Sequence, residues 1–188
     1  MTLTDRTAAQ VVDAAARAVE ADPVNFHAAL DDIPAAIYVA DTDGTITYFN
    51  EACIKAVGRR PRVGVDRWCV SWRLYTPEGE ALPPDRCPVA LALREGREVR
   101  GVEIVAERPD GTSARLIPYA TPLFDRQGKL CGAVNLLIDV SDQRKPAFLA
   151  DRAEECLQLA TAVDDPHTSE MLVLMAAKYD EQSRKSED

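Results

Sequence analysis

Apolar residues recur in two rhythms along this chain, and the change from one to the other marks its parts. Residues 5–20 repeat alanine with Val11, Val12, Ala15 and Val19 on one side. This predicts a modestly amphipathic helix with a thin apolar stripe, which needs a partner surface to be stable. Asp22-Pro23 pairs a capping carboxylate with a proline at a first helical position, so a second helix is expected from Val24 to about Asp31, stopped by Pro34. Period-two, β-branched and aromatic segments follow at Ala36–Ala40 and Thr45–Phe49, separated by a turn containing Asp43-Gly44. Asn50 is placed to cap a short helix over Glu51–Val57, closed by Gly58.

Residues 59–86 lack a period, yet carry Trp68, Trp72, Leu74 and Tyr75. Pro88 opens a helix with Val89, Ala92 and Leu93 on its buried side, ended by Gly96. Strands are expected over Val99–Glu107, Thr112–Phe124 and Lys129–Ile138, joined by the turns Pro109-Asp110-Gly111 and Asp125–Gly128. Consecutive hairpins make these three antiparallel neighbours. The sum is an α+β fold: a five-stranded antiparallel sheet with short helices on one face, flanked by N-terminal and C-terminal helices. Helical periodicity returns after Pro146 with Phe148, Ala153, Cys156, Leu157 and Ala160, then Asp165-Pro166 restarts it with Met171, Leu172, Leu174, Met175 and Tyr179. A helical hairpin is predicted. The expected organisation is an N-terminal helical arm (1–27), a central domain (28–145), the hairpin (146–180) and a disordered acidic tail (181–188).

Charge narrows the partners. The net charge is −9, and residues 151–188 carry ten acidic against four basic groups. Such a surface repels phosphate backbones, so no direct nucleic-acid contact is expected. No 18-residue apolar run and no leader pattern occur, so neither a membrane span nor secretion is expected and a cytoplasmic location is. Five cysteines, an odd number without a CxxC pair, argue against disulfides and against a zinc site.

Several segments together resemble the PAS family of sensory domains. They are Ile37–Gly44 with Thr45–Asn50, Arg108–Gly111, Pro122–Gly128 and the strand from Gly132 that runs into Asp139-Val-Ser-Asp-Gln-Arg144. Trp72–Gly79 and Cys87–Ala92 are similar to PAS modules upstream of bacterial histidine kinases. The resemblance spans about residues 28–145. It implies a sensory or protein-interaction module that binds haem, flavin, a small metabolite or nothing, and passes signals through terminal helices that often dimerise.

The residues bear on which of these applies. The two histidines, His27 and His167, lie outside the stretch where the family places a haem ligand, and Cys87 is weighed as a thiolate alternative. Around Cys69 the light-sensing flavin subfamily would carry an Asn and a Gln that this chain lacks. Haem and flavin are therefore expected to be disfavoured, with no cofactor the first expectation. Serines lack a GxSxG context, the acid pairs sit at turns, and no phosphate-binding glycine loop appears, so no enzyme is expected. Arg59, Arg60, Arg62 and Arg67 read as a solvated loop, with an anion site as the rival. Candidate pocket residues are Tyr38, Phe49, Trp68, Trp72, Tyr75, Leu93, Ile104, Leu116, Tyr119 and Asn135. Candidate interface residues are Val11, Val12, Val19, Phe148, Leu157, Met171 and Met175, with packing of these helices back on the exposed sheet face of the same subunit as the rival to dimerisation. The expected function is a non-enzymatic signalling adaptor and homodimer that takes a small molecule or a partner protein in its core. A ligand-free scaffold and a haem or flavin sensor are the alternatives.

Overall fold

The computed structural model describes residues 5–144, 146–163 and 165–185. The chain divides into two compact units, residues 1–139 and 140–188.

The first unit opens with helix α1 (Asp5–Ala21) and the short α2 (His27–Asp31). Strands β1 (Ala36–Ala40) and β2 (Ile46–Phe49) form a hairpin, and α3 (Glu51–Val57) follows. Then come β3 (Arg73–Tyr75), α4 (Pro88–Glu95), β4 (Val99–Arg100), β5 (Ile104–Glu107), β6 (Ser113–Phe124) and β7 (Leu130–Asp139). All pairings are antiparallel, in the order β2-β1-β7-β6-β5-β3, with β4 also against β6. The five expected strands are present, one of them split, and one short strand, β3, adds to them. The expected strand 99–107 is two pieces, β4 and β5, because the chain turns left-handed at Gly101 (φ 74°). Residues 23–26 form turns, so the second helix begins at His27 and not at Val24.

Turn chemistry sets the hairpins. Asp41 Oδ1 accepts the N–H groups of Asp43 (2.9 Å) and Thr45 (2.8 Å), which curls the chain ahead of Gly44 (φ 78°). Asn50 does more than cap α3. Its Oδ1 accepts from Ile37 N (3.1 Å) and Cys53 N (3.3 Å), while Nδ2 donates to the carbonyls of Leu30, Ile33 and Ala35.

Strand alternation divides the sheet into two faces. The inner face, with Tyr38, Ala40, Leu116, Ala120, Ala133 and Leu137, packs against Cys53 and Val57 of α3 and Val89, Ala92 and Leu93 of α4. On the outer face, α1 lies against β6 and β7 and buries Ala8, Val12, Ala15, Ala16 and Val19. Asp13 pairs with Arg100 (2.5 Å), and Glu20 accepts the N–H of Phe124 (3.0 Å). The first helix is thus no free arm. Val12 and Val19, expected between chains, are buried within their own, and Val11 is half-buried beside them. Small alanine and valine side chains let α1 approach a flat sheet face closely, which supplies the partner surface a thin stripe needs.

The second unit holds α5 (Pro146–Ala162) and α6 (Pro166–Lys185), packed along each other. Ala153, Cys156 and Ala176 form the seam, with Tyr179 against it. Asp165 caps α6 by accepting the Thr168 N–H (2.8 Å). The helix runs through Lys185, past the end expected near residue 180, with Arg184 paired one turn back to Asp180 (3.0 Å). Residues 186–188 of the expected tail lie outside the described residues.

Candidate functional site

The site grows from one polar side chain at the middle of the sheet. Asn135 sits on β7, opposite Tyr38 of β1 on one side and Ala120 of β6 on the other. It is 2% exposed. Its Nδ2 donates to the Tyr38 hydroxyl (3.1 Å), and that hydroxyl donates to the Trp68 carbonyl (3.2 Å). A phenol has one proton. Because Tyr38 gives it to Trp68, its oxygen can only accept from Asn135, and this fixes which way the amide points. The remaining atom, Asn135 Oδ1, is buried without a protein hydrogen-bond partner, and so is Ser71 Oγ. A buried polar atom left unpaired costs about 1–3 kcal/mol.

Trp68 is the strained member. Among the described residues it is the one non-glycine residue with positive φ (69°). For a bulky L-residue that conformation costs roughly 1–2 kcal/mol. Its surroundings hold it there. The Trp68 N–H donates to Gly44 O (2.6 Å), and its carbonyl accepts from Tyr38 and from Cys87 Sγ (3.4 Å). The indole lies on Gly44, where a Cβ would come within 2.1 Å of Cε3. The Arg67 guanidinium covers the indole at 5.3 Å from the ring centroid.

Titratable groups of the interior are held neutral. Burial pushes the Tyr38 phenol well up, and the Cys69 and Cys87 thiols add to it. Burial likewise raises Cys53 and Cys87 to about 12. The four clustered arginines face other duties. Arg59 (2.7 Å) and Arg62 (3.0 Å) pair with Asp66, Arg60 pairs with Glu51 (2.7 Å), and Arg67 donates to the Asp43 carbonyl (3.1 Å).

Six of the ten candidate pocket residues gather in one apolar cluster: Tyr38, Leu93, Ile104 and Leu116 inside it, with Phe49 and Trp68 half-buried against it. Asn135 joins them through Tyr38. Three stand elsewhere. Trp72 is 56% exposed, Tyr75 turns its hydroxyl to Glu107 (2.7 Å), and Tyr119 pairs with Leu136 on the outer face. Ser71 was not anticipated; it lies between the two tryptophans of the aperiodic segment, which is the signal that points to it. His27 stacks on Tyr48 at 5.0 Å, and His167 is exposed in the first turn of α6. Among the described residues no three His, Cys, Asp or Glu side chains are grouped to hold a metal.

The PAS fold family model matches residues 30–145, more than half of the chain. No curated protein matches the sequence. Among solved structures, an RNA-binding light-oxygen-voltage receptor is similar at TM-score 0.51 and 22% identity, over 65% of this chain and 34% of its own. The LOV protein of Rhodobacter sphaeroides is similar at TM-score 0.49 and 15% identity, over 86% of this chain and 93% of its own. A light-oxygen-voltage domain characterised with a flavin analogue gives TM-score 0.47 and 21% identity, over 68% and 93%. At these identities the likeness is one of fold.

Two expectations fall here. A flavin was expected to be disfavoured because side chains near Cys69 are missing; a light-oxygen-voltage receptor shares this fold at TM-score 0.51, so that expectation does not stand. Nucleic-acid contact was excluded on net charge; a receptor of this fold is described as RNA-binding, and net charge, a property of the whole surface, does not decide what one patch touches.

Proposed function

For a chain that belongs to the PAS fold family of sensory domains, we propose a sensor that takes a small ring ligand between its sheet and helices α3 and α4, and relays its presence to a dimerising C-terminal hairpin. The module is non-catalytic and serves signal transduction. The observation that carries the ligand reading is Asn135 Oδ1: a fully buried acceptor, fixed in direction by Tyr38, with no protein donor. Native proteins rarely leave such an atom unmatched, and a ligand donor is what would match it.

A flavin fits this donor set in part. Its ring edge carries an N–H that Asn135 would receive, and Leu93, Ile104 and Leu116 would supply apolar contact. When bound, a flavin supplies visible-light absorption and redox chemistry. This chain's own residues supply position and coupling. A hydrogen bond arriving at Asn135 acts on two things at once. One is the Tyr38–Trp68 chain that holds a strained backbone in place. The other is β7, whose last residue, Asp139, precedes the second unit. A ligand shifts such an arrangement by as much as it prefers one form over the other.

Dimerisation rests on the hairpin alone, since α1 is engaged on its own sheet. The hairpin seam is built from small residues. It leaves Leu157, Leu159, Met171, Val173, Leu174 and Met175 between 43% and 60% exposed. An apolar surface of this kind supports pairing with a second copy. Among the described residues no helix is long and apolar enough to cross a membrane, and a cytoplasmic location belongs to the same proposal. Native mass spectrometry of freshly purified protein tests both halves. A dimer with a reproducible added mass per subunit is expected. A bare subunit mass contradicts the ligand reading, and a monomer contradicts the hairpin reading.

A further inference from the structure

Three cysteines, Cys53, Cys69 and Cys87, lie in one apolar cluster, and two of them meet at a single peptide bond. Cys87 Sγ donates to the Trp68 carbonyl (3.4 Å), which belongs to the peptide unit that links Trp68 to Cys69. A planar trans peptide keeps its oxygen about 2.8 Å from the next Cα, so Cys87 Sγ lies within roughly 6 Å of the Cys69 Cα. A disulfide closes from such a separation by side-chain rotation and a small backbone shift. The third thiol is engaged elsewhere: Cys53 Sγ donates to the Ile37 carbonyl (3.2 Å) from the first turn of α3. The two remaining sulfurs are not equivalent. Cys69 is 8% exposed and Cys87 1%, so an oxidant from solvent meets Cys69 first. The Ser71 N–H points at Cys69 Sγ (3.4 Å), a donor placed where negative charge gathers as that sulfur attacks. Cys87 keeps its proton, because burial and the neighbouring Cys69 push its thiol up to about 12.

We infer that Cys69 and Cys87 form a reversible disulfide, Cys69 attacking a peroxide and Cys87 resolving the product. In the first step the Cys69 sulfur bonds to one oxygen of hydrogen peroxide, the O–O bond breaks, and the thiol proton leaves with the departing hydroxide as water. Cys69 is then a sulfenic acid. In the second step the Cys87 sulfur displaces hydroxide from Cys69, and the Cys87 proton leaves with it as a second water. The two thiols lose two electrons and the peroxide takes them. The new bond closes the aperiodic segment on itself and ties it to the start of α4. It also removes the S–H donor from the Trp68 carbonyl and leaves the Tyr38 hydroxyl as donor there, so oxidation acts directly on the strained backbone. No bound ligand takes part in either step.

The test treats the folded full chain with hydrogen peroxide, alkylates the remaining thiols under denaturing conditions, and maps tryptic peptides without reduction by mass spectrometry. Cleavage after Arg67, Arg73, Arg86 and Arg94 puts the two thiols on separate short peptides, Trp68–Arg73 and Cys87–Arg94. These two are expected as one linked species that lacks two hydrogens and that dithiothreitol separates. Both thiols found alkylated while the exposed Cys131 is oxidised overturns the inference, and so does a link from Cys69 to Cys53. A linked species no more abundant than in protein unfolded before oxidation overturns it as well, since the fold would then contribute nothing. Cys87→Ser keeps a hydroxyl donor for the Trp68 carbonyl and removes the resolving sulfur. It is expected to leave Cys69 as a sulfenic acid, taking up several-fold more dimedone than the unaltered chain. Equal labelling overturns the order of attack and resolution. The map of the unaltered chain decides the pairing whether or not that variant folds.

Discussion

The two faces of the sheet are both buried, but they are built differently. The outer face is closed by α1 through Ala8, Val12, Ala15, Ala16 and Val19, with Asp13–Arg100 and Glu20–Phe124 as polar ties. The outer side leaves one polar atom unmatched, Arg100 Nε, on a side chain otherwise paired with Asp13, while the inner face holds Asn135 Oδ1 unmatched and leans on a tryptophan in a left-handed backbone. Packing with ion pairing accounts for the first face. It does not explain the second, where stability is given up in at least two places. Strain and unmatched polarity gather where a protein binds something.

That contrast is easiest to break from the outside. Val12→Asp places a charge under α1 at a fully buried position, and a loss of about 3 kcal/mol in urea unfolding is expected. If α1 lay loosely on the sheet the loss would be within about 0.5 kcal/mol, as for a surface change. Gly44→Ala is the next largest. It strains a residue at φ 78° and drives a methyl group into the Trp68 ring. A loss of about 2 kcal/mol is expected, with a shifted indole emission, because the Trp68 ring must move. An unchanged emission spectrum would mean that Trp68 does not sit on Gly44.

Asn135→Leu separates the faces most sharply. The change removes the unmatched Oδ1 together with the Nδ2 bond to Tyr38, so the two effects offset and stability should move by no more than about 1 kcal/mol either way, while ligand binding is lost. A site kept for packing would lose stability and have no ligand to lose. The smallest effect concerns the loop beneath Trp68. Burial raises the Asp66 carboxyl, but the Arg62 N–H and the Arg59 and Arg62 guanidinium groups outweigh it, and the net shift is downward from 3.8. A lowered folded-state pKa means that the stabilisation is fully present above about 3.8 and is lost as pH falls through the folded value. Asp66→Asn should therefore destabilise at neutral pH and flatten the acid limb of the stability curve. An unchanged acid limb would remove Asp66 from the account.

Much of the fold was legible because local chemistry agrees with it. Asp41-Thr-Asp-Gly44, Asp110-Gly111 and Asp125–Gly128 are turns by side-chain capping and by left-handed glycine, and Asp165 caps the helix it was expected to cap. The site was legible in part. Leu116 and Tyr119 are three residues apart on one strand, so alternation already places them on opposite faces, and Tyr119 belongs with the outer one. The difference between Trp68 and Trp72 was not legible. Nothing in local propensity favours a tryptophan at positive φ; it is held there by Gly44, Tyr38 and Cys87, which are distant in sequence. The destination of α1 was equally hidden, since its stripe suits a partner chain or its own sheet, and only the uncovered outer face decides between them.

The central claim is that Asn135 Oδ1 is an acceptor waiting for a ligand. A crystal structure of the protein purified without denaturation tests it most directly. The account predicts density for a bound organic molecule with a donor atom at hydrogen-bond distance, about 2.7–3.2 Å, from Asn135 Oδ1. A lone water at that atom, or side chains closed over it, would contradict the account and leave the inner face as core.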